Sequence, residues 1–269
     1  MASSDRTVVY PGLEGKTALV TGSSKNIGRA VAVALAEAGA NVGITARSDM
    51  EGCQETADAV EAAGGEASIT LGDLGKPDDI ADIADGVRDE LGPIDVLVNN
   101  AAIRPQAPFE DITLEQWQHV QDVNLRSAFL LAQEAYEDMR EQGSGSIVNV
   151  LGLMALQGRR GKTHGVVTKT GLIGLTRTLA AELGPNGVRV NSVIPGRKIK
   201  TDRGSLTEEQ RKNFTKLEQA TPLRRRAEPE EIASVIRFVA SDEASFLTSE
   251  VIKVDGGLNT CVDIENIQV

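Results

Sequence analysis

Aromatic side chains are scarce in this chain: one tryptophan, two tyrosines and five phenylalanines amount to 3% of 269 residues. Surfaces that hold single-stranded nucleic acid stack bases on aromatic platforms, and little is available here to build one. Basic residues are also in the minority, 28 against 39 acidic ones, for a net charge of -11. That balance repels a phosphate backbone, so no nucleic-acid partner is expected. Cysteine is almost missing. Cys53 and Cys261 form no close ligand pair, which argues against a disulfide framework and against a structural zinc site, and no metal is expected. No apolar run reaches the 18 residues that mark a membrane span, so no membrane partner is expected either. The stretch Met1–Arg6 is polar, and the apolar run from Thr17 is interrupted by glycine and serine before it could serve as a signal segment. A cytoplasmic location follows as the expectation.

With 41% hydrophobic residues, the chain can bury one substantial α/β core. Short apolar runs at 16–20, 41–46, 67–71, 94–98, 146–150, 188–193 and 251–254 read as buried strands, and 26–38, 51–63, 77–90, 114–141, 165–184 and 228–240 as helices. Strict alternation of strand and helix predicts a parallel sheet covered on both faces, and right-handed crossovers make a doubly wound arrangement the simplest one. Residues 1–14 read as an N-terminal arm, 15–257 as the α/β domain and 258–269 as a tail. The most irregular interval, 195–227, is a candidate lid over a ligand cleft.

The first chemical signal is Thr21-Gly22-Ser23-Ser24-Lys25-Asn26-Ile27-Gly28, directly after the strand Ala18-Leu19-Val20 and before an alanine-rich helix. Gly22 permits a tight turn and Gly28 a close backbone approach, while unpaired N–H groups at the helix start can face a pyrophosphate. In a strand–turn–helix context, this is a dinucleotide-binding signal.

Over nearly its whole length the chain resembles the short-chain dehydrogenase/reductase family. The resemblance implies a single-domain Rossmann-type fold with a seven-stranded parallel sheet and a homo-oligomer, a tetramer by preference. Asn26 stands where the family's motif usually has its middle glycine; asparagine tolerates a left-handed backbone. Asp73-Leu74 resembles the adenine-proximal pair, and Asn99-Asn100-Ala101-Ala102 a strand-end motif normally closed by glycine. Pro195-Gly196 followed by Ile199 and Thr201 resembles the segment over the nicotinamide half, and Asp255-Gly256-Gly257 the C-terminal turn. By this resemblance, Gly22, Ser24, Lys25, Asn26, Ile27, Gly28, Arg47, Asp73, Leu74, Asn99 and Ala101 line the cofactor's course. Lys25 and Arg47 can both approach an adenosine 2′-phosphate, and no acid at 44–47 is available to receive a ribose diol, so NADP(H) is favoured over NAD(H).

The reaction centre departs from the family. Asn124 resembles its active-site asparagine and Lys169 its cofactor-facing lysine, but Gly152 occupies the usual serine position and Gly165 the usual tyrosine position. Serine would hydrogen-bond the substrate oxygen and tyrosine would exchange its proton; glycine does neither. His164 is a candidate replacement acid/base, although it points about 100° from Gly165 around a helix. His119, Tyr136 and Tyr10 read as structural.

Two basic clusters, Arg159-Arg160-Gly161-Lys162 and Arg197-Lys198-Ile199-Lys200, reverse the overall acidity near the expected substrate entrance. They suit a carboxylate, phosphate or carrier group. The reading is an atypical NADP(H)-linked oxidoreductase for an anionic carbonyl or alcohol, with Asn124, Lys169 and His164 as the candidate catalytic set. The alternatives are a catalytically silent cofactor-binding scaffold and a non-redox enzyme using the same cleft.

Overall fold

The computed structural model describes residues 12–196 and 207–261. Seven parallel strands form one sheet in the order β3-β2-β1-β4-β5-β6-β7. They are β1 (Thr17–Thr21), β2 (Asn41–Ala46), β3 (Ala67–Leu71), β4 (Ile94–Asn99), β5 (Gly145–Val150), β6 (Val188–Pro195) and β7 (Val251–Val254). Eight α-helices accompany them among the described residues: α1 (Asn26–Ala36), α2 (Met50–Ala62), α3 (Pro77–Leu91), α4 (Leu114–Gln121), α5 (Ser127–Gln142), α6 (Thr163–Leu183), α7 (Glu208–Ala220) and α8 (Pro229–Ala240).

Alternate side chains of a strand leave on opposite faces, and both faces here are covered. Ala18 and Val20 of β1 pack with Val31 and Leu35 of α1, Val60 of α2 and Ile232 and Ile236 of α8. Leu19, between them, packs with Ile83 of α3, Leu131 of α5 and Leu183 of α6. This double burial is why the strands carry apolar runs with little polar alternation. Arg189 of β6 ties α8 to the sheet: its guanidinium donates to the carbonyls of Val239 (2.7 Å), Ala240 (3.0 Å) and Ser241 (3.0 Å). A cation is thereby set at the negative end of the helix.

Two elements differ from the sequence expectation. The helix expected over 114–141 is divided by a π-helical turn, Asp122–Arg126, and a widened turn of this kind often marks a functional position. The irregular interval expected over 195–227 contains α7. This helix is polar on nearly every side, and Phe214 and Leu217 are its only large apolar residues, so the periodic signal was weak. Among the described residues no helix is long and apolar enough to cross a membrane.

Candidate active site

A cavity of about 1060 Å³ opens along the C-terminal ends of the strands, where open parallel sheets place their ligands, beside the point at which the strand order reverses between β1 and β4. The loop after β1 forms one wall. Gly22 turns there with φ +62°, and a side chain at Gly28 would run into the Gly22 carbonyl oxygen and the Asn100 amide. Asn26 adopts φ +53°, the left-handed conformation that glycine would otherwise supply, and its residue is exposed. The first turn of α1 has no side-chain cap, leaving backbone N–H groups available to an anion at this helix start.

Asn100 welds this loop to the end of β4. Its Nδ2 donates to the carbonyls of Thr21 (2.9 Å) and Gly22 (3.1 Å), while Thr21 Oγ1 accepts from the backbone N–H groups of Asn100 and Ala101, both at 3.0 Å. Residues Asn99 through Ala101 were expected to line the cofactor's course, and Asn99 departs from its neighbours. It turns the other way, as adjacent strand residues do, and its Nδ2 donates to Asn149 Oδ1 at 3.0 Å between β4 and β5. Asn99 is not part of the cavity wall, whereas Asn100 and Ala101 are.

Gly22, Ser24, Lys25, Asn26, Ile27, Gly28, Arg47, Asp73 and Leu74 all line the cavity. Asp73 holds its own loop, accepting from Gly75 N–H at 2.9 Å. Lys25 does not stand alone: its ammonium pairs with Asp49 at 3.3 Å, and Asp49 also accepts from Gly52 N–H to cap α2. The Ser24 hydroxyl, the Gly52 N–H and Lys25 hold the Asp49 carboxyl below the usual carboxylate range. These residues fit a nucleotide carrying a 2′-phosphate: two cations, one exposed and one lightly paired, stand beside an uncapped helix start.

At the opposite end, Asn124 leaves the π-helical turn and clamps the backbone of Ile103. Its Oδ1 accepts from Ile103 N–H (2.8 Å) and its Nδ2 donates to Ile103 C=O (3.0 Å). Lys169, on α6, is buried, lines the cavity and donates to the Val150 carbonyl at 2.7 Å. Burial, with a smaller contribution from the charge of Arg104, lowers its pKa to about 7. Gly152 and Gly165 line the same end. A Cβ built at Gly152 meets nothing within 4 Å, and one at Gly165 meets only Met154 Sδ at 3.5 Å. Neither position therefore excludes a Cβ.

His164 is not brought to this space. It is completely buried, is not part of the cavity wall, and spends Nδ1 accepting the Gly165 N–H at 2.9 Å. Nε2 is buried with no hydrogen-bond partner among the described residues, and burial, helped by Lys162, lowers the imidazole pKa. The angle between neighbouring helix positions explains the placement: with Gly165 facing the cavity, His164 faces the interior. His119 is exposed on α4, and the Tyr136 hydroxyl accepts from Asn186 Nδ2 at 2.8 Å, away from the cavity.

Pro195 and Gly196 reach the cavity wall, and Gly196 N–H donates to Val254 C=O at 2.8 Å. Asp255 shapes the neighbouring turn by accepting from Gly257 N–H and Asn259 N–H, both at 3.0 Å. Ile199, Thr201 and the cluster Arg197-Lys198-Ile199-Lys200 lie outside the described residues, as does Tyr10. In the other cluster, Lys162 proves to be a strut: its ammonium donates to the carbonyls of Arg104 (2.8 Å) and Pro105 (3.0 Å). Arg159 lines the cavity and Arg160 does not. Arg104, which nothing in the local sequence singled out, does.

Residues 22–259 match the family described as Enoyl-(Acyl carrier protein) reductase. The 3-oxoacyl-(acyl-carrier-protein) reductase FabG of Staphylococcus epidermidis is 35% identical over 243 residues, covering 90% of this chain and 98% of that protein. A solved short-chain type dehydrogenase/reductase from Mycobacterium marinum superposes with a TM-score of 0.82 at 36% identity, covering 93% of this chain and 97% of that one. A candidate NAD(P)-dependent gluconate 5-dehydrogenase from Beutenbergia cavernae, with NADP bound at low occupancy, gives a TM-score of 0.84 at 36% identity, with 92% and 98% covered. The chain belongs to the short-chain dehydrogenase/reductase family, and its relatives are oxidoreductases.

Proposed function

We propose that this protein is an atypical NADP(H)-linked oxidoreductase acting on an anionic carbonyl or alcohol, with low turnover by ordinary family standards. The observation that carries the reading is the contrast between the two ends of one cavity. The adenosine end is furnished with Gly22, Lys25, Asn26, Gly28, Arg47 and Asp73. The far end keeps Lys169 and Asn124 but presents Gly152 and Gly165, which carry no hydroxyl. A bound nicotinamide supplies or accepts hydride. The protein must still move a proton at the substrate oxygen, and a positioned donor contributes roughly 10²- to 10⁴-fold to such a step. Lys169, with its pKa near 7, can exchange a proton at neutral pH. It lies in the cavity wall without a phenol to relay for it.

NADP(H) is favoured over NAD(H) because Lys25 and Arg47 border the adenosine end and the nearest acid, Asp49, is already engaged. The relative with bound NADP supports the same choice. A homo-oligomer, preferably a tetramer, is supported by large apolar residues left exposed on helices, Phe129 on α5, Val167 on α6 and Phe238 on α8. One observation favours a second reading, a cofactor-binding scaffold without turnover: both polar ends of the Asn124 amide are committed to Ile103, leaving the side chain no evident group for substrate. Calorimetry with NADP(H) and NAD(H), combined with a turnover screen of carboxylated carbonyls and alcohols, separates the readings. Stereospecific hydride transfer establishes the enzyme. Tight NADPH binding with no turnover on any of them establishes the scaffold, and absence of binding to either nucleotide rejects both.

A further inference from the structure

We propose that the far end of the cavity, bounded by Arg104, Gly152, Gly165 and Lys169, is an anion site that takes a carboxylate or phosphate group of a small molecule in the space left by the two glycines. The proposal rests on the cavity being the ligand site, and it names the residue and the chemistry that select the ligand.

Charge distribution is the first ground. The acids among the described residues of the cavity wall are Asp49 and Asp73, and both belong to the adenosine end. Asp49 is paired with Lys25 and caps α2, and Asp73 caps its own turn. The far end carries Arg104, Arg159, Lys162 and Lys169 and no carboxylate. Lys162 is occupied by the carbonyls of residues 104 and 105. Neither Arg104 nor Lys169 has an ion-pair partner among the described residues. Lys169 is buried and Arg104 is exposed, and an anion that reached both would offset the cost of keeping a charge on the buried lysine. The Arg104 charge adds to the lowering of the Lys169 pKa, an effect that a bound anion would oppose.

Rigidity is the second ground. The backbone carrying Arg104 is held on both sides, by Asn124 at Ile103 and by Lys162 at the carbonyls of Arg104 and Pro105, with Ala107 N–H donating to Gly161 C=O at 3.3 Å. Two buried side chains spent on placing one loop give the guanidinium a fixed base, which suits two-point recognition of a carboxylate or phosphate. Space is the third ground. The Cβ positions of Gly152 and Gly165 look onto nothing nearer than Met154 Sδ, so the group that meets the two cations there is supplied by the ligand.

The test uses full-length protein, with and without saturating NADPH, titrated calorimetrically with malonate, with inorganic phosphate and with the neutral malonamide. Binding of malonate or phosphate but not malonamide is expected, and whichever anion binds identifies the group. Arg104→Gln should weaken that binding about tenfold, the loss of one charge-assisted contact. Gly165→Tyr should block it by filling the space. Arg140→Gln, on α5 and not part of the cavity wall, should leave it unchanged. As a second readout, ¹³C-methylated Lys169 should titrate at higher pH when the anion is present, because a neighbouring negative charge favours the ammonium. Equal affinity in wild type and Arg104→Gln overturns the proposal, as does an unmoved Lys169 titration at saturating anion or absence of anion binding in the wild type. Should NADPH itself fail to bind, the cofactor reading fails, while the titrations of the cofactor-free protein still decide the anion site.

Discussion

Gly165 stands one helical turn before Lys169 on α6, and both face the same cavity. Residues four apart on a helix are neighbours on one face, so a tyrosine at 165 would place its phenol on the lysine's side of the helix. Gly165 is helical and Gly152 is extended, conformations that any residue adopts. The double substitution Gly152→Ser and Gly165→Tyr should therefore fold and raise NADPH-dependent reduction of small carbonyls by about 10²-fold or more, the scale of a restored general acid. Single-turnover absorbance at the nicotinamide band is the measurement. Unchanged turnover in a folded, NADPH-binding double variant would show that the loss lies elsewhere.

Cofactor selection should respond to two charges in opposite senses. Arg47→Glu is expected to weaken NADPH by about tenfold or more while sparing NADH, since a cation facing a 2′-phosphate becomes a repulsive anion. Asp49→Asn frees Lys25 from its 3.3 Å partner. An exposed pair of this kind is weak, so NADPH affinity should rise by at most about fivefold. Fluorescence titrations with both nucleotides measure these ratios; a gain for NADH equal to that for NADPH would place Lys25 away from the phosphate.

The buried imidazole makes stability depend on pH. Burial lowers the folded pKa of His164 below its ordinary 6.5, so the unfolded chain binds the proton more readily than the native one. The sign follows from linkage: His164's contribution is fully present above about pH 6.5 and is lost as pH falls from there towards the folded pKa. Thermal melts of wild type should drop through that window, and His164→Asn, which retains an acceptor for the Gly165 N–H, should flatten the drop. Parallel pH profiles for the two proteins would remove His164 as the cause.

Arg189→Met should cost about 3 kcal/mol in urea unfolding, because three carbonyls at the end of α8 lose a charged donor. NADPH affinity should stay within error, since Arg189 is not part of the cavity wall. A large loss of affinity with little loss of stability would contradict the structural role.

The five inner strands were legible because each is a short run buried on both faces, and the edge strands β3 and β7, only partly buried, kept enough apolar character to show. The glycine-rich wall of the cavity was legible because its residues sit in one continuous stretch, 21–28, plus single residues at strand ends. Asn99 and Asn100 show the limit: the motif was visible, but which asparagine faces the cavity depends on where β4 ends. The far end was harder. Lys162 and Arg104 are 58 positions apart, and only the fold reveals that one braces the other. A basic cluster in the sequence therefore yielded one strut, Lys162, and one lining residue, Arg159. Arg104, which also shares the glycines' cavity, carried no local signal at all. α7 was missed for the opposite reason, since its polar sequence resembles a loop.

The glycine-rich loop has one rigid point and one permissive one. At Gly28 any side chain would strike the Gly22 carbonyl, whereas at Asn26 the backbone asks only for a left-handed turn and the side chain has open surroundings. Position 26 thus tolerates residues that accept that turn, while position 28 requires glycine. A loop of this shape therefore asks for glycine at one of the two places and only for a left-handed residue at the other.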